Sequence, residues 1–229
     1  MKRIFGLTAA LAVLLTATPA AAQMYGSPVY VPVGVSTGIN IAGDFGKGMN
    51  DASLKTTYYG ARASLGLAAF YVMAGVGSVK ADDALVPGGT SQTAFGGTLG
   101  YNILRLPMTP VKISIQAGAG YIKEGSFKQL DFPVALGIGF SLPTPGVGIT
   151  PWVAPRLHVR SQDDGTNSET KARFGGSGGV NVSIGMIGIH LAVDYLSIPV
   201  PEGATGSSGD YSPLVFGAGL NFGINVPGL

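Results

Sequence analysis

The sequence predicts an all-β fold: a closed antiparallel transmembrane β-barrel of ten strands, with eight as the alternative count, behind a cleaved N-terminal signal peptide. Three observations carry this. Stretches along the chain alternate apolar with small or polar residues, the two-residue period of a strand with one face in hydrocarbon. The connections between them alternate between long polar segments and short ones. Mean hydropathy is positive, +0.36, yet after the leader glycine and polar residues recur so often that no run could cross as a helix.

The leader comes first. Lys2 and Arg3 precede an apolar run from Ile4 to Leu15, and Ala20, Ala21 and Ala22 offer a small-residue cleavage site. Residues 1–22 therefore read as a signal peptide and 23–229 as one barrel domain. An uncleaved anchor helix is the alternative, but the run is shorter than the roughly 20 apolar residues a span needs, and Pro19 ends it. Cysteine is absent, which leaves no disulfide, Cys-based metal site or acylated cysteine to hold an exported chain. Of 14 Lys and Arg, Lys2 and Arg3 lie in the leader, leaving 12 against 12 Asp and Glu. A neutral mature chain argues against an electrostatic nucleic-acid binder.

Strands are expected near 33–42, 57–67, 70–79, 93–104, 111–121, 132–141, 149–160, 174–185, 188–196 and 213–225. The fifth is clearest: Val111, Ile113, Ile115, Ala117, Ala119 and Tyr121 share one face, and Lys112, Ser114, Gln116, Gly118 and Gly120 the other. These lengths suit the roughly 9–11 residues with which a tilted strand crosses a bilayer. The connections after odd-numbered strands hold every acidic residue except Asp194: Asp44, Asp51, Asp82, Asp83, Glu124, Asp131, Asp163, Asp164, Glu169, Glu202 and Asp210. Those after even-numbered strands are short, at Ala68-Ala69, Arg105 to Pro110, Leu142 to Gly148 and Met186-Ile187. Long connections outside and short turns in the periplasm put both termini on the periplasmic side. A two-residue turn pairs Leu67 with Phe70, and another pairs Gly185 with Gly188.

With that topology the outward aromatics sort into two girdles. Tyr59, Phe95, Tyr121, Phe132, Tyr195 and Phe216 fall at the loop end, and Phe70, Tyr101, Phe140 and Phe222 at the turn end, with aliphatic residues between them. Amphipathic rings partition to the headgroup level, so two bands are what a bilayer selects. A soluble β-sandwich also alternates, but has no reason to band its aromatics.

The inward set is small, dominated by Gly60, Gly75, Gly77, Gly96, Gly100, Gly118, Gly120, Gly179 and Gly219, with Ser64, Thr98, Ser114 and Ser177. These glycines are expected to ease curvature, or else to leave the interior open to water. The expected lumen side chains are Arg62, Lys112, Gln116, Trp152, Arg156, His158, Arg160, His190 and Asp194. Four basic groups against one carboxylate bias the lumen positive, so two readings compete: a plug of mutually bonded side chains, or a narrow anion-leaning pore. His190 and Asp194 stand roughly 13 Å apart along one strand face and do not touch. No catalytic set, metal or cofactor is expected: Gly96 to Gly100 and Gly175 to Gly179 are glycine-rich, but no Gly-Lys-Ser/Thr follows.

On these residues the mature chain resembles the small outer-membrane β-barrel proteins of Gram-negative bacteria, with a signal ending at Ala22, strands such as Thr150 to Arg160, and the final Pro213 to Asn225 strand. The resemblance implies outer-membrane lipid, lipopolysaccharide and the barrel-assembly machinery as partners. A ten-strand count is similar to the omptin proteases, whose Asp-Asp and Asp-His pairs face each other. Asp82 and Asp83 fall in a suitable loop, but no Asp-His pair stands opposite. The ending Asn225-Val226-Pro227-Gly228-Leu229 also departs from the terminal aromatic such barrels present for assembly. The expected function is a non-enzymatic structural or surface protein, or a narrow pore. The alternatives are an outer-membrane hydrolase using His158 or His190, and an adhesin acting through loops such as Ser161 to Arg173.

Overall fold

The structure, a computed structural model, describes residues 38–67, 69–83, 90–104, 110–124, 127–142, 144–163, 165–197 and 212–225. Its ten strands are β1 (Gly38–Gly48), β2 (Thr57–Leu67), β3 (Phe70–Lys80), β4 (Gln92–Leu104), β5 (Val111–Glu124), β6 (Phe127–Phe140), β7 (Gly148–Asp163), β8 (Ser168–Ile184), β9 (Ile187–Leu196) and β10 (Leu214–Asn225). Each pairs antiparallel with its sequence neighbours, and β10 returns to β1 from Gly38↔Asn225 to Gly48↔Val215, so the sheet has no edge. Two stacked sheets are thereby ruled out, and Leu136 faces outward, 40% exposed. The expected leader, residues 33–37, Glu202, Asp210 and the tail beyond Asn225 lie outside the described residues.

Exposure alternates along the wall as the period requires. In β9, Ile187, Ile189, Leu191, Val193 and Tyr195 are exposed while Gly188, His190, Ala192, Asp194 and Leu196 are buried. The Leu67↔Phe70 pair is present as expected. The β8–β9 turn is one residue earlier than expected: Ile184 pairs with Ile187, so Gly185-Met186 forms the turn. Gly185 has φ +59, the conformation that a type II′ hairpin places on its first central residue. At the opposite, far end, Asn50 ties the β1–β2 connection to β10. Its Oδ1 accepts from Ser53 N (3.1 Å) and Leu214 N (3.2 Å), and its Nδ2 donates to the Ser212 carbonyl (2.8 Å).

Five strands, β1 and β5 to β8, reach well beyond the expected bounds toward the far end. β5 and β6 pair up to Glu124↔Phe127 and β7 and β8 up to Asp163↔Ser168, so the long loops expected there are mostly hairpin. Asp44, Glu124, Asp131, Asp163 and Glu169 accordingly lie on strands and not in connections. The segment Ser161 to Arg173, expected as a loop, is the top of the β7–β8 hairpin. Polar strand tips look like loops in a sequence because the apolar half of the alternation stops short of them. Around Pro133 and Pro155 the β5–β6 and β6–β7 ladders each lapse for two residues, since proline has no N–H to give.

Candidate functional site

The barrel interior is the candidate site, because it gathers the charged and polar side chains singled out from the sequence. Arg62 on β2, Lys112 and Gln116 on β5, Trp152, Arg156, His158 and Arg160 on β7, and His190 and Asp194 on β9 all sit on inward positions of the alternation. To these the structure adds Asp44, Tyr58, Tyr71, Gln129 and Asp131. Most are removed from water: His158 and Tyr58 are 0% exposed, Tyr71 1%, Trp152 3% and Arg156 4%.

Three carboxylates organise the interior. Asp44 accepts from Arg62 Nε (2.8 Å) and from His190 Nε2 (2.7 Å). Asp131 accepts from Arg160 Nε (2.7 Å), His158 Nε2 (2.9 Å) and Gln129 Nε2 (2.8 Å), and Gln162 Nε2 donates to Gln129 Oε1 (2.8 Å). Asp194 takes both terminal nitrogens of Arg156, with the NH2–Oδ1 bond at 2.6 Å, and the Ser177 hydroxyl (2.8 Å), while Arg156 also donates to Ser177 (2.9 Å). An ionised carboxylate only accepts, so Nε2 is the protonated nitrogen of His158, whereas His190 Nε2 stands between Asp44 Oδ1 and Arg62 Nη2 (3.2 Å), a donor. Charges this buried persist because each is paired and further hydrogen-bonded.

The interior glycines make these contacts possible. Asp44 and His190 lie on β1 and β9 with Gly219 of β10 between them, and a Cβ there would stand 2.4 Å from His190 Nε2. Tyr71 on β3 reaches over Gly100 of β4 to donate to Gln116 Oε1 on β5 (2.8 Å), and a Cβ on Gly100 would meet the Tyr71 ring at 2.0 Å. Gly60 and Gly77 leave the space the Tyr58 ring fills, and Gly179 the space of Trp152. A missing side chain on one strand lets its two neighbours touch across it. Gly60, Gly77, Gly100, Gly179 and Gly219 are thus sockets for large groups.

Two sequence expectations are corrected here. Asp44 and Asp131 are not loop residues but buried inward groups, at 5% and 3% exposure, so among the described residues the lumen holds three buried carboxylates, and Arg62, Arg156 and Arg160 are matched by them. The reason is position: both lie toward strand tips, where polarity mimics a loop. Tyr58 and Tyr71 were missed as lumen residues. The signal was available in their parity, since Tyr58 alternates in step with Gly60 and Arg62, and Tyr71 with Gly75 and Gly77.

The chemistry available is limited by access. Each histidine is bonded through Nε2 to a carboxylate. His190 and Asp194 do not meet, as the strand rise requires; each finds its partner on another strand. Among the described residues no three of His, Asp and Glu converge as metal ligands.

The outward aromatics lie toward the two ends of the wall. Tyr59 (63% exposed), Phe95, Phe132 and Tyr195 are exposed near the far end, with Tyr121 and Phe216 half-buried beside them. Phe70, Tyr101, Phe140 and Phe222 are exposed near the end at which Gly38 and Asn225 pair, and the Phe70 and Tyr101 rings lie 4.9 Å apart.

No protein-family model and no curated protein matches the chain. Among solved structures it is similar to the N-terminal β-barrel domain of Pseudomonas aeruginosa OprF, at 11% identity over 82% of this chain and 98% of that one, TM-score 0.37. It is similar to the attachment invasion locus protein Ail of Yersinia pestis at 10% identity, covering 82% and 97%, TM-score 0.37. A third likeness is to the β domain of the Bordetella autotransporter BrkA, at 12% identity over 81% and 98%, TM-score 0.45. These neighbours are outer-membrane β-barrels. At such identities and scores the likeness adds nothing on activity.

Proposed function

We propose that this chain is a non-enzymatic barrel of the Gram-negative outer membrane, exported behind a leader at residues 1–22, closed to solutes, and serving as a structural and surface protein. Membrane placement is supported by the exterior. Val76, Leu99, Ile115, Val134, Leu136, Val153, Leu157, Leu191 and Val193 are all more than one-third exposed on the outward face. Water-soluble chains rarely expose apolar patches beyond a few hundred Å². Aromatic bands margin that surface at both ends, as a bilayer interface favours.

The observation that carries the closed reading is the burial of Arg156, His158, Trp152, Tyr58 and Tyr71 inside the barrel, contributed by strands on opposite sides of the ring. A water-filled channel would keep such polar tips wet. Matched charge also removes the reason for an anion preference. Surface work then falls to the far end, where Ser168 to Arg173 of β8 pair with β7 alone among the described residues. Planar-bilayer recording of the folded protein tests the reading: the expected result is an unchanged baseline. Sustained current steps that vanish on heat unfolding would overturn it in favour of a pore.

A further inference from the structure

We infer that the outer wall of β1–β3 carries a clamp for the phosphate of a phosphorylated lipid headgroup, centred on Lys47, Thr57 and Lys80. The inference rests on the membrane placement proposed above. Register puts these three in one cross-strand row, Lys47↔Thr57 and Thr57↔Lys80, on the outward face at the far end. One step nearer the barrel middle is the row Phe45↔Tyr59↔Ser78, and the Phe45 and Tyr59 rings lie 5.3 Å apart. Two residues of strand rise, roughly 7 Å, therefore separate an aromatic row at headgroup depth from a row with two ammonium groups.

The row lines an open pocket of about 420 Å³ that also takes in Tyr59, Ser78 and Ser91. Lys47 and Lys80 flank β2, roughly 10 Å apart by strand spacing, within reach of one tetrahedral anion from either side. Lys47 Nζ already leans over β2, donating to Thr57 Oγ1 (2.9 Å) and to the Lys55 carbonyl (2.9 Å). Lys80 Nζ is held by Asp83 (2.9 Å), an exposed pair of the kind worth little in water, so a phosphate can replace it. Asp82 and Asp83, just past the end of β3, line the same pocket, so a phosphate must take the place of Asp83 on Lys80. Lys55 is committed elsewhere: its hydrogen bond to Asp51 raises it above the ordinary lysine range and keeps it cationic there. Lysine ammoniums with hydroxyl donors between them suit a phosphomonoester, whose oxygens accept from several directions.

The test uses the full-length protein refolded in detergent, with diphosphoryl lipid A as probe and binding read by native mass spectrometry. Lys47→Gln with Lys80→Gln is compared with Lys123→Gln with Lys128→Gln, an exposed cross-strand pair on β5 and β6. The expected result is at least tenfold weaker binding in the first double variant, no change in the second, and equally weak binding of dephosphorylated lipid A to the unaltered protein. Equal binding by the first variant, or full binding of the dephosphorylated lipid, overturns the clamp. Complete displacement of lipid A by millimolar inorganic phosphate also overturns it, assigning the site to the free anion. Insertion into phosphatidylcholine vesicles, which offer no phosphomonoester, is measured separately. Insertion without lipid A discrimination sinks the clamp alone, and failure to insert sinks the membrane reading.

Discussion

Replacing Asp194 with Asn tests whether the interior is held by matched charge. Arg156 has its side chain fully buried and takes its anionic partner from β9, so Asp194→Asn keeps the shape and leaves a guanidinium without countercharge. Removing one partner of a buried ion pair costs about 3–5 kcal/mol, far more than the roughly 1 kcal/mol of an ordinary hydrogen bond. A barrel of this size has a urea slope near 3 kcal/mol per M, so the unfolding midpoint should fall by roughly 1–1.7 M. Trp152, the sole tryptophan, is 3% exposed inside the barrel and reports the transition by its fluorescence. Restoring neutrality apolarly, with Arg156→Met and Asp194→Leu together, should recover at least half the loss, because a buried pair replaced by apolar groups is often near neutral. A midpoint for Asp194→Asn within about 0.3 M of the unaltered protein, or a double variant as weak as both single changes added, would refute the reasoning.

Three further outcomes are expected. Gly100→Val should drive its side chain into the Tyr71 ring and lower stability by about 1–3 kcal/mol, whereas Gly43→Leu, whose Cβ meets nothing within 4 Å, should change the midpoint little; equal effects would show that the socket is not filled. Leu136→Arg, midway between the outward Phe132 and Phe140, should cost about 2–4 kcal/mol in lipid vesicles, and tolerance there would contradict a hydrocarbon-facing wall. Tyr71→Phe should cost about 1 kcal/mol by removing the donor to Gln116, seen in the same fluorescence-monitored melt; no loss would mean that bond is not made.

The wall was legible because a closed barrel with an apolar outer face keeps a strict two-residue period: the Leu67↔Phe70 turn and the outward parity of Val76, Leu99 and Leu136 follow from it alone. The strand tips were not, since polar residues occupy both faces there, and Asp131 in β6 or Glu169 in β8 then look like loop. The lumen was half legible. Parity alone sends Arg156, His158 and Asp194 inward, but which cation meets which carboxylate depends on contacts between strands distant in sequence. His190 finds Asp44, 146 positions away, and no local spacing announces it. The meaning of the glycines was hidden for the same reason, because a socket is defined by the ring on the next strand.

The Gly100–Tyr71 and Gly219–His190 contacts have a consequence for how this sequence can diverge. A methyl group gained at position 100 is tolerable only in a lineage that has already shrunk the ring at 71, and one at 219 only where position 190 is no longer imidazole. Drift inside the cylinder is thus confined to coordinated exchanges between adjoining staves, while the greasy outer coat remains free to wander one residue at a time.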